Sequence, residues 1–359
     1  MFKIDLFYEF SREQRRDLPL SNALTDILSA IESKGSIAGA ARELGISYRH
    51  LWGQIKEWEE KIGHPLVQGA RGRDTQLTAL AKKLLWAERQ IVARNAMELL
   101  KVRTDIEQVF AQAMAPNAQI LTLSGCPDES LLLLKDRTAS HDLLLDITFN
   151  SSRQGLEDLV AGRSLIAGFN APANAGAQSA AVAAFADLCD CSQIALFHYC
   201  SRTQGLGVAR GNPLKISSLI DVARKKARYI NREKGTGTRV LLEDLITQSG
   251  LSASMISGYD NIEASHQAVA QAILQGTADV GLCIESIAKK AGIEFIPLVM
   301  ETYYLAVLKK NLPIPGLNKL LSLLQDESWH RQCESLAGYS AVLAGTQIEP
   351  SDAPWMNGR

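Results

Sequence analysis

No stretch of this 359-residue chain approaches the roughly 18–20 consecutive apolar residues needed to cross a bilayer as a helix. The opening MFKIDLFYEFSREQRRD reaches charge too early for a secretory leader, so a cytoplasmic location with no membrane partner is expected. Metal-ligand spacing is also missing. Of six cysteines (Cys126, Cys189, Cys191, Cys200, Cys283, Cys333) only Cys189 and Cys191 stand close together. A C-x-C with no second Cys or His pair does not make a metal site, and the set fits reduced, mostly buried thiols. There is no G-x-x-x-x-G-K-[ST] loop, no internal repeat and no low-complexity run; the Ala-rich 170–185 reads as a connection. Neither sign of charge dominates, the formal net charge being -1.

What is present is a globular composition, 46% hydrophobic, in a length that suggests two or three domains. The even charge balance hides a local excess. From Lys34 to Lys83 there are about nine Lys/Arg against about five Asp/Glu, enough to draw phosphate to one face of a neutral protein. Leu24, Ile27, Leu28 and Ile31 recur at helical spacing and Gly35 stops that helix. Ser36 caps a second helix to Leu44, Gly45 turns, and Ser47 caps a third that ends near Gly63-His64-Pro65. On the third helix Leu51, Ile55, Trp58 and Ile62 share one face, while Arg49, Gly53, Lys56 and Glu60 lie opposite.

This is the spacing of a helix-turn-helix, whose second helix enters the major groove by its first turn. Ser47, Tyr48, Arg49 and His50 occupy that turn, and Gly53 removes bulk from the outer face. Arg49 can read guanine through two hydrogen bonds or hold a phosphate. PLVQGARGRDTQLT then gives two short strands around a basic tip, so Arg71 and Arg73 would reach backbone or minor groove as a wing. Ser36, Ser47, Tyr48, Arg49, His50, Gly53, Lys56, Arg71 and Arg73 form the candidate DNA-binding set. Ala79 to Ala115 contains neither Pro nor Gly and repeats apolar residues at helical spacing, a helix of about 50 Å that would pack on a partner chain.

Beyond Ala115-Pro116-Asn117 short strands alternate with helices, the texture of an α/β domain with largely parallel sheet. Four polar turns open helices there: Ser124–Ser130, Asn150–Gly155, Asn231–Arg239 and Glu263–Ala268. Ligands in open α/β sheets sit at the carboxyl ends of strands, where free N–H groups at helix N-termini favour anions. The candidate effector set is Ser124, Gly125, Cys126, Ser151, Ser152, Arg153, Asn170, Thr236, Gly237, Thr238, Arg239, Ser265, His266 and Tyr303. His266 has the alternative of a cap or core role, and Arg239 that of a structural ion-pair partner.

GSIAGAARELGISYRHLW (Gly35–Trp52), GHPLV (Gly63–Val67), GRDTQLT (Gly72–Thr78) and the following Leu84-Leu85 resemble the winged helix-turn-helix of ModE-type and LysR-type regulators. The SYRHLW opening favours the ModE-type branch, and RGRD stands where the family tip is richer in Gly. The segments from Gly205 to Ile246 and from Ser265 to Lys310 resemble the type II periplasmic-binding-protein-like domain found behind such heads. Asn170, in AGFN, stands where that pattern has His. The resemblance implies a homodimer or homotetramer on double-stranded palindromic operator DNA, with the long helix as seam. It implies two α/β lobes joined by crossing strands, one of about 118–195 plus the chain after Tyr303, the other about 200–300. A small anionic effector, molybdate, tungstate or formate, would lie between them, with no other cofactor.

The expected architecture is therefore α/β with an N-terminal winged helix-turn-helix over 1–80, a linker and dimerisation helix over 81–116, and a two-lobed effector domain over 117–359. The expected function is ligand-responsive transcription regulation rather than catalysis. The alternative is a bifunctional enzyme with a DNA-binding head, of the biotin-ligase-like kind, with the GTGT turn cradling phosphate. Arg71-Gly72-Arg73 lies inside the wing instead, and no nucleophile–base pairing is evident.

Overall fold

The computed structural model describes residues 22–69, 75–115, 118–172, 187–188, 192–234 and 236–348. The chain divides into two compact units, Met1–Leu100 and Lys101–Arg359.

In the first unit α1 (Ala23–Lys34), α2 (Ile37–Glu43) and α3 (Tyr48–Ile62) form a three-helix cluster. Each begins on a side-chain cap: Asn22 accepts from Leu24 N–H, Ser36 from Gly39 N–H, and Ser47 from His50 N–H. Gly45 makes the turn between α2 and α3 at φ 67°, a left-handed conformation that glycine adopts without a side-chain penalty. Leu28, Ile31, Ala40, Leu51 and Ile55 are buried together with Leu66, Leu77 and Leu85. Burying each Leu or Ile side chain contributes about 1.5–3 kcal/mol. Trp58 and Ile62, expected in the core, pack against its edge and stay half-exposed. The strands β1 (Val67–Gln68) and β2 (Gln76–Leu77) pair antiparallel and form the base of a wing, whose tip lies outside the described residues. The expected strand over 2–10, Cys189 and Cys191, and most of the 170–185 connection also lie outside them.

The helix α4 (Ala79–Met114) is 36 residues long, about 54 Å at 1.5 Å per residue. Among its apolar residues Trp86, Ile91, Val102, Val109 and Met114 are exposed.

The second unit is a two-lobed α/β fold. Its strands follow the order β4 (Leu143–Phe149), β3 (Gln119–Gly125), β5 (Ile166–Pro172), β10 (Glu294–Leu308), β6 (Ile194–Val208), β9 (Val280–Ile284), β7 (Tyr229–Arg232), β8 (Ile262–Glu263). β3 pairs parallel with β4 and β5, and β7 parallel with β8 and β9. The two central strands, β6 and β10, are 15 residues each and run antiparallel along almost their whole length. Their upstream and downstream halves belong to different lobes. The downstream half of β10 pairs with β5, and the downstream half of β6 with β9. β11 (Tyr339–Ser340) and β12 (Gln347–Ile348) add to β6 on the first lobe.

Helices follow the strands as the polar turns require: α5 (Glu129–Ala139) after β3, α6 (Ser152–Val160) after β4, α7 (Leu219–Arg224) before β7, α8 (Gly237–Gln248) after β7 and α9 (His266–Leu274) after β8. α10 (Glu285–Ala291) follows β9, and α11 (Pro315–Leu324) and α12 (Glu327–Glu334) follow β10. One apolar cluster, including Leu156, Phe169, Leu196 and Tyr304, fills the first lobe. Two more, around Leu206–Leu242–Val280 and Val269–Ile273–Ile287, fill the second.

Candidate nucleic-acid interface and effector cleft

The first turn of α3 presents Ser47, Tyr48, Arg49 and His50, all exposed. Ser47 is committed as the helix cap, and so is the half-buried Ser36 on α2. Tyr48 stacks on Trp52 with centroids 6.5 Å apart and planes 3° from parallel, and Lys56 Nζ lies 4.8 Å over the Trp52 ring. Gly53 is exposed and a side chain there would meet nothing within 4 Å, so the outer face of the helix is open at its middle. Lys56 also pairs with Glu59 at 2.6 Å. Glu59 Oε1 accepts from the Leu66 and Val67 N–H groups at the wing base. Partial burial opposes the Glu59 charge, but Lys56 and the two amides outweigh it and hold the carboxyl below its usual range. Glu59 thus braces α3 against β1, with Lys56 as its countercharge. Arg71 and Arg73 lie outside the described residues.

In the second unit one face of the crossing strands carries the polar residues. Arg202 stands directly opposite Glu301, and Tyr303 opposite Asn170. Gln204 follows Arg202 by two residues and so shares its face, as Tyr303 shares that of Glu301. Arg202 donates from Nε to Glu301 Oε2 at 2.9 Å and from Nη1 to Asp128 Oδ2 at 2.6 Å. Gln204 Nε2 donates to the same Glu301 oxygen at 2.8 Å, and Tyr339 Oη to Asp128 Oδ2 at 3.1 Å. Asp128 also accepts from Ser130 N–H as the cap of α5. Burial opposes the Arg202 charge, but Glu301 and Asp128 overcome it and raise the guanidinium well above its ordinary pKa.

Above this layer Tyr303 Oη donates to the Cys126 carbonyl at 2.8 Å, and Asn170 Nδ2 lies 2.7 Å from Cys126 Sγ. Gly168 makes room for that ring; a Cβ there would fall 2.2 Å from Tyr303 Oη. Burial pushes the Cys126 thiol up to about 11, so it stays protonated, against a smaller opposing influence of the nearby Ser152. Ser124 donates to Asp158 at 2.7 Å, inside a network with Asn150. A Cβ at Gly125 would clash with Gly168 O, so two glycines let β3 and β5 close up at this end.

From the second lobe, α8 opens with Thr236 as its cap, followed by Gly237 and the buried Thr238. A Cβ at Gly237 would meet only Glu301 Oε1, at 3.9 Å. Val240, one turn on, packs against the apolar cluster of the first lobe. Thr238 Oγ1 lies 3.5 Å from His266 Nε2. Burial, then the cations Arg232 and Arg202, hold the His266 pKa well below its ordinary value, so its ring is neutral. Arg232 donates to the Ala264 carbonyl, but its Nε is buried without a partner among the described residues. Burial and then the nearby Arg202 push the Arg232 pKa down to about 10 against the opposing pull of Glu233.

Tyr303, Asn170, Cys126 and Ser152 therefore converge, as do Thr238 and His266, with Gly237 beside Glu301. Others in the candidate set are engaged elsewhere. Arg153 is exposed and paired with Asp187 and Glu157. Arg239 stacks on Tyr259 at 4.0 Å and pairs with Glu243 at 3.1 Å, the structural role weighed for it above. Ser151 and Ser265 cap α6 and α9. Sequence reasoning passed over Asp128, Arg202, Gln204, Arg232 and Glu301. Arg202 and Glu301 each interrupt a long apolar strand, and that lone charge was the available signal. No cluster of three or more His, Cys, Asp or Glu able to hold a metal occurs among the described residues, and no described helix is long and apolar enough to cross a membrane.

Residues 135–325 match the PBP superfamily domain, and residues 24–82 match the bacterial regulatory helix-turn-helix protein, lysR family. The chain belongs to the PBP superfamily and carries a lysR-family helix-turn-helix at its head, the build of a LysR-type transcriptional regulator with a ligand-binding domain. A lysR-family helix-turn-helix is a regulator's head, in line with the expected function and not with the bifunctional alternative. An uncharacterized protein of Bacillus subtilis (strain 168), YvgK, is 37% identical over 147 residues, 41% of this chain and 47% of that protein. The chain thus spans about half the length of that relative. An uncharacterized protein of Clostridium pasteurianum, from the 5′ region of a 2Fe-2S ferredoxin gene, is 31% identical over 107 residues, 30% of this chain and 95% of that protein. Among solved structures, a hydrogen-peroxide-bound OxyR mutant of Corynebacterium glutamicum superposes with a TM-score of 0.47 and 16% identity, over 88% of this chain and 94% of that one. LysG of the same organism, with bound effector Arg, gives 0.39 and 17%, over 84% and 95%.

Proposed function

We propose that the protein is a cytoplasmic regulator that binds operator DNA through α3 and the wing, and that a small anion held between the two lobes controls it. The working division is a DNA-binding head over 1–80, a linker helix over 81–116 and an effector domain over 117–359. The exposed apolar residues along α4 suit a seam with a second copy, giving a homodimer or a homotetramer.

The observation that carries the anion reading is Arg232. Its buried Nε lacks a partner among the described residues, and burial and a neighbouring cation both oppose its charge. An anion beside it would supply the missing countercharge, and N–H groups of the first turn of α8 would add donors. Molybdate, tungstate and formate are the candidates, and molybdoenzyme or formate dehydrogenase genes the targets, on the strength of the ModE-type resemblance. Control follows if the anion binds one arrangement of the lobes more tightly than another.

The test is a thermal-shift panel on the purified protein with molybdate, tungstate, sulfate, phosphate and formate. A native-state ligand raises the melting temperature by mass action, by about 2.7 kcal/mol of stability at a hundredfold excess over its Kd. A selective rise with molybdate or tungstate supports oxyanion sensing, and a rise with formate alone supports control of formate oxidation. No rise with any of the five removes small anions as effectors and leaves the DNA-binding head as it stands.

A further inference from the structure

Glu301 stands on the unfavourable side of the charge balance for an anion site. Its Oε2 accepts from both Arg202 and Gln204. Its Oε1 is turned toward Gly237, the first residue of α8, where a Cβ would stand 3.9 Å from it. The amide oxygens of Gln204 and Asn170, both in buried side chains, are without partners among the described residues. The crossing strands and β5 thus offer acceptors to the cleft, while the donors, the α8 amides and Arg232 Nε, stand on the other lobe.

The surrounding groups do not change this. Arg202 is shared between Glu301 and Asp128. Burial keeps Cys126, Tyr303 and Tyr339 protonated, but Tyr303 donates to the Cys126 carbonyl and Tyr339 to Asp128. His266 is neutral and lies against Thr238, and Arg232 belongs to the far lobe. An oxyanion or carboxylate without hydrogen, placed between α8 and the crossing strands, would set oxygen against oxygen at Glu301.

We propose that Glu301 is the specificity-determining residue of the cleft, and that an anion is held there only with one hydrogen between its own oxygen and Glu301 Oε1. This rests on the anion reading above. A hydrogen-bearing anion brings that proton with it. An anion without one, such as molybdate, tungstate or formate, binds together with a proton taken from solvent onto Glu301. One proton entering with each anion makes the Kd rise about tenfold per pH unit.

The experiment is titration calorimetry on the full chain with molybdate, tungstate and formate near pH 6 and near pH 8, each in two buffers of different ionisation enthalpy. The expected result is uptake of about one proton per anion and a Kd about a hundredfold weaker at the higher pH. Glu301→Gln, which can turn an amide N–H toward the ligand, is expected to bind with no proton uptake and with one Kd at both pH values. Wild-type binding without proton uptake, or a Glu301→Gln protein that keeps the pH slope, overturns the proposal and leaves the anion reading intact. If melting shows that Glu301→Gln does not fold, the wild-type proton count decides alone. Absence of binding by the wild type to all three anions at both pH values overturns the anion reading, and the role of Glu301 with it.

Discussion

Arg202 and Glu301 face one another at matched positions on the two crossing strands, with Nε 2.9 Å from Oε2. Asp128 completes a buried group of two carboxylates around one guanidinium. Replacing Arg202 with Met keeps the volume and leaves both carboxylates without their cation. The expected loss is about 3–5 kcal/mol of stability, the usual consequence of stranding buried charge. Urea denaturation of the two proteins measures it, and a loss under 1 kcal/mol would remove the ion pair from the stability of the hinge.

Gly168→Ala is expected to act through Tyr303. The added methyl would fall on the Tyr303 ring, 2.2 Å from its Oη, and the ring is fully buried. Overpacking of this kind typically costs about 1–3 kcal/mol. Displacing the ring also breaks the bond to Cys126 O, so the melting temperature falls and the turn at 124–130 loosens. Hydrogen exchange at that turn separates this outcome from a general loss of stability.

His266 gives a pH dependence whose sign follows from its burial. Its pKa is held below the unfolded value of about 6.5, so below that pH the unfolded chain binds a proton that the folded chain refuses. The stability contributed by the neutral ring is full above about pH 6.5 and is lost as pH falls through that range, at up to about 1.4 kcal/mol per unit. Melting curves between pH 7.5 and 5.5 should flatten in His266→Gln; equal slopes in both proteins would exclude His266 as the source.

Arg49 is exposed in the first turn of α3, so Arg49→Ala should leave folding and effector binding unchanged. If it reads a guanine, operator affinity drops by about 1–3 kcal/mol, roughly five- to 150-fold. A gel-shift titration at fixed salt measures the drop, and an unchanged operator affinity would take Arg49 out of the reading surface.

The head was legible because its signals are local. Ser36, Gly45 and Ser47 each act within one helical turn, and the caps and the turn appear in the structure as the sequence placed them. The four polar turns of the second unit were legible for the same reason, each at a strand-to-helix junction. The floor of the cleft was not. Arg202 and Glu301 are 99 residues apart and meet only through the register of β6 on β10, which no local pattern encodes. Arg239 shows the converse limit. A basic residue two places into a helix suits an anion site, yet its side chain turns back onto Tyr259 and Glu243 of its own lobe. Residue type and position along the chain do not fix that direction.

Val240 gives α8 a second attachment. The helix whose first turn faces the cleft also rests this side chain on the apolar interior of the opposite lobe. Swinging α8 outward would therefore wet hydrocarbon as well as separate polar groups, so opening carries a hydrophobic penalty that salt does not screen. The resting bias of the hinge can then be tuned by trimming methyl groups at position 240, through an apolar contact and not through the polar groups of the cleft.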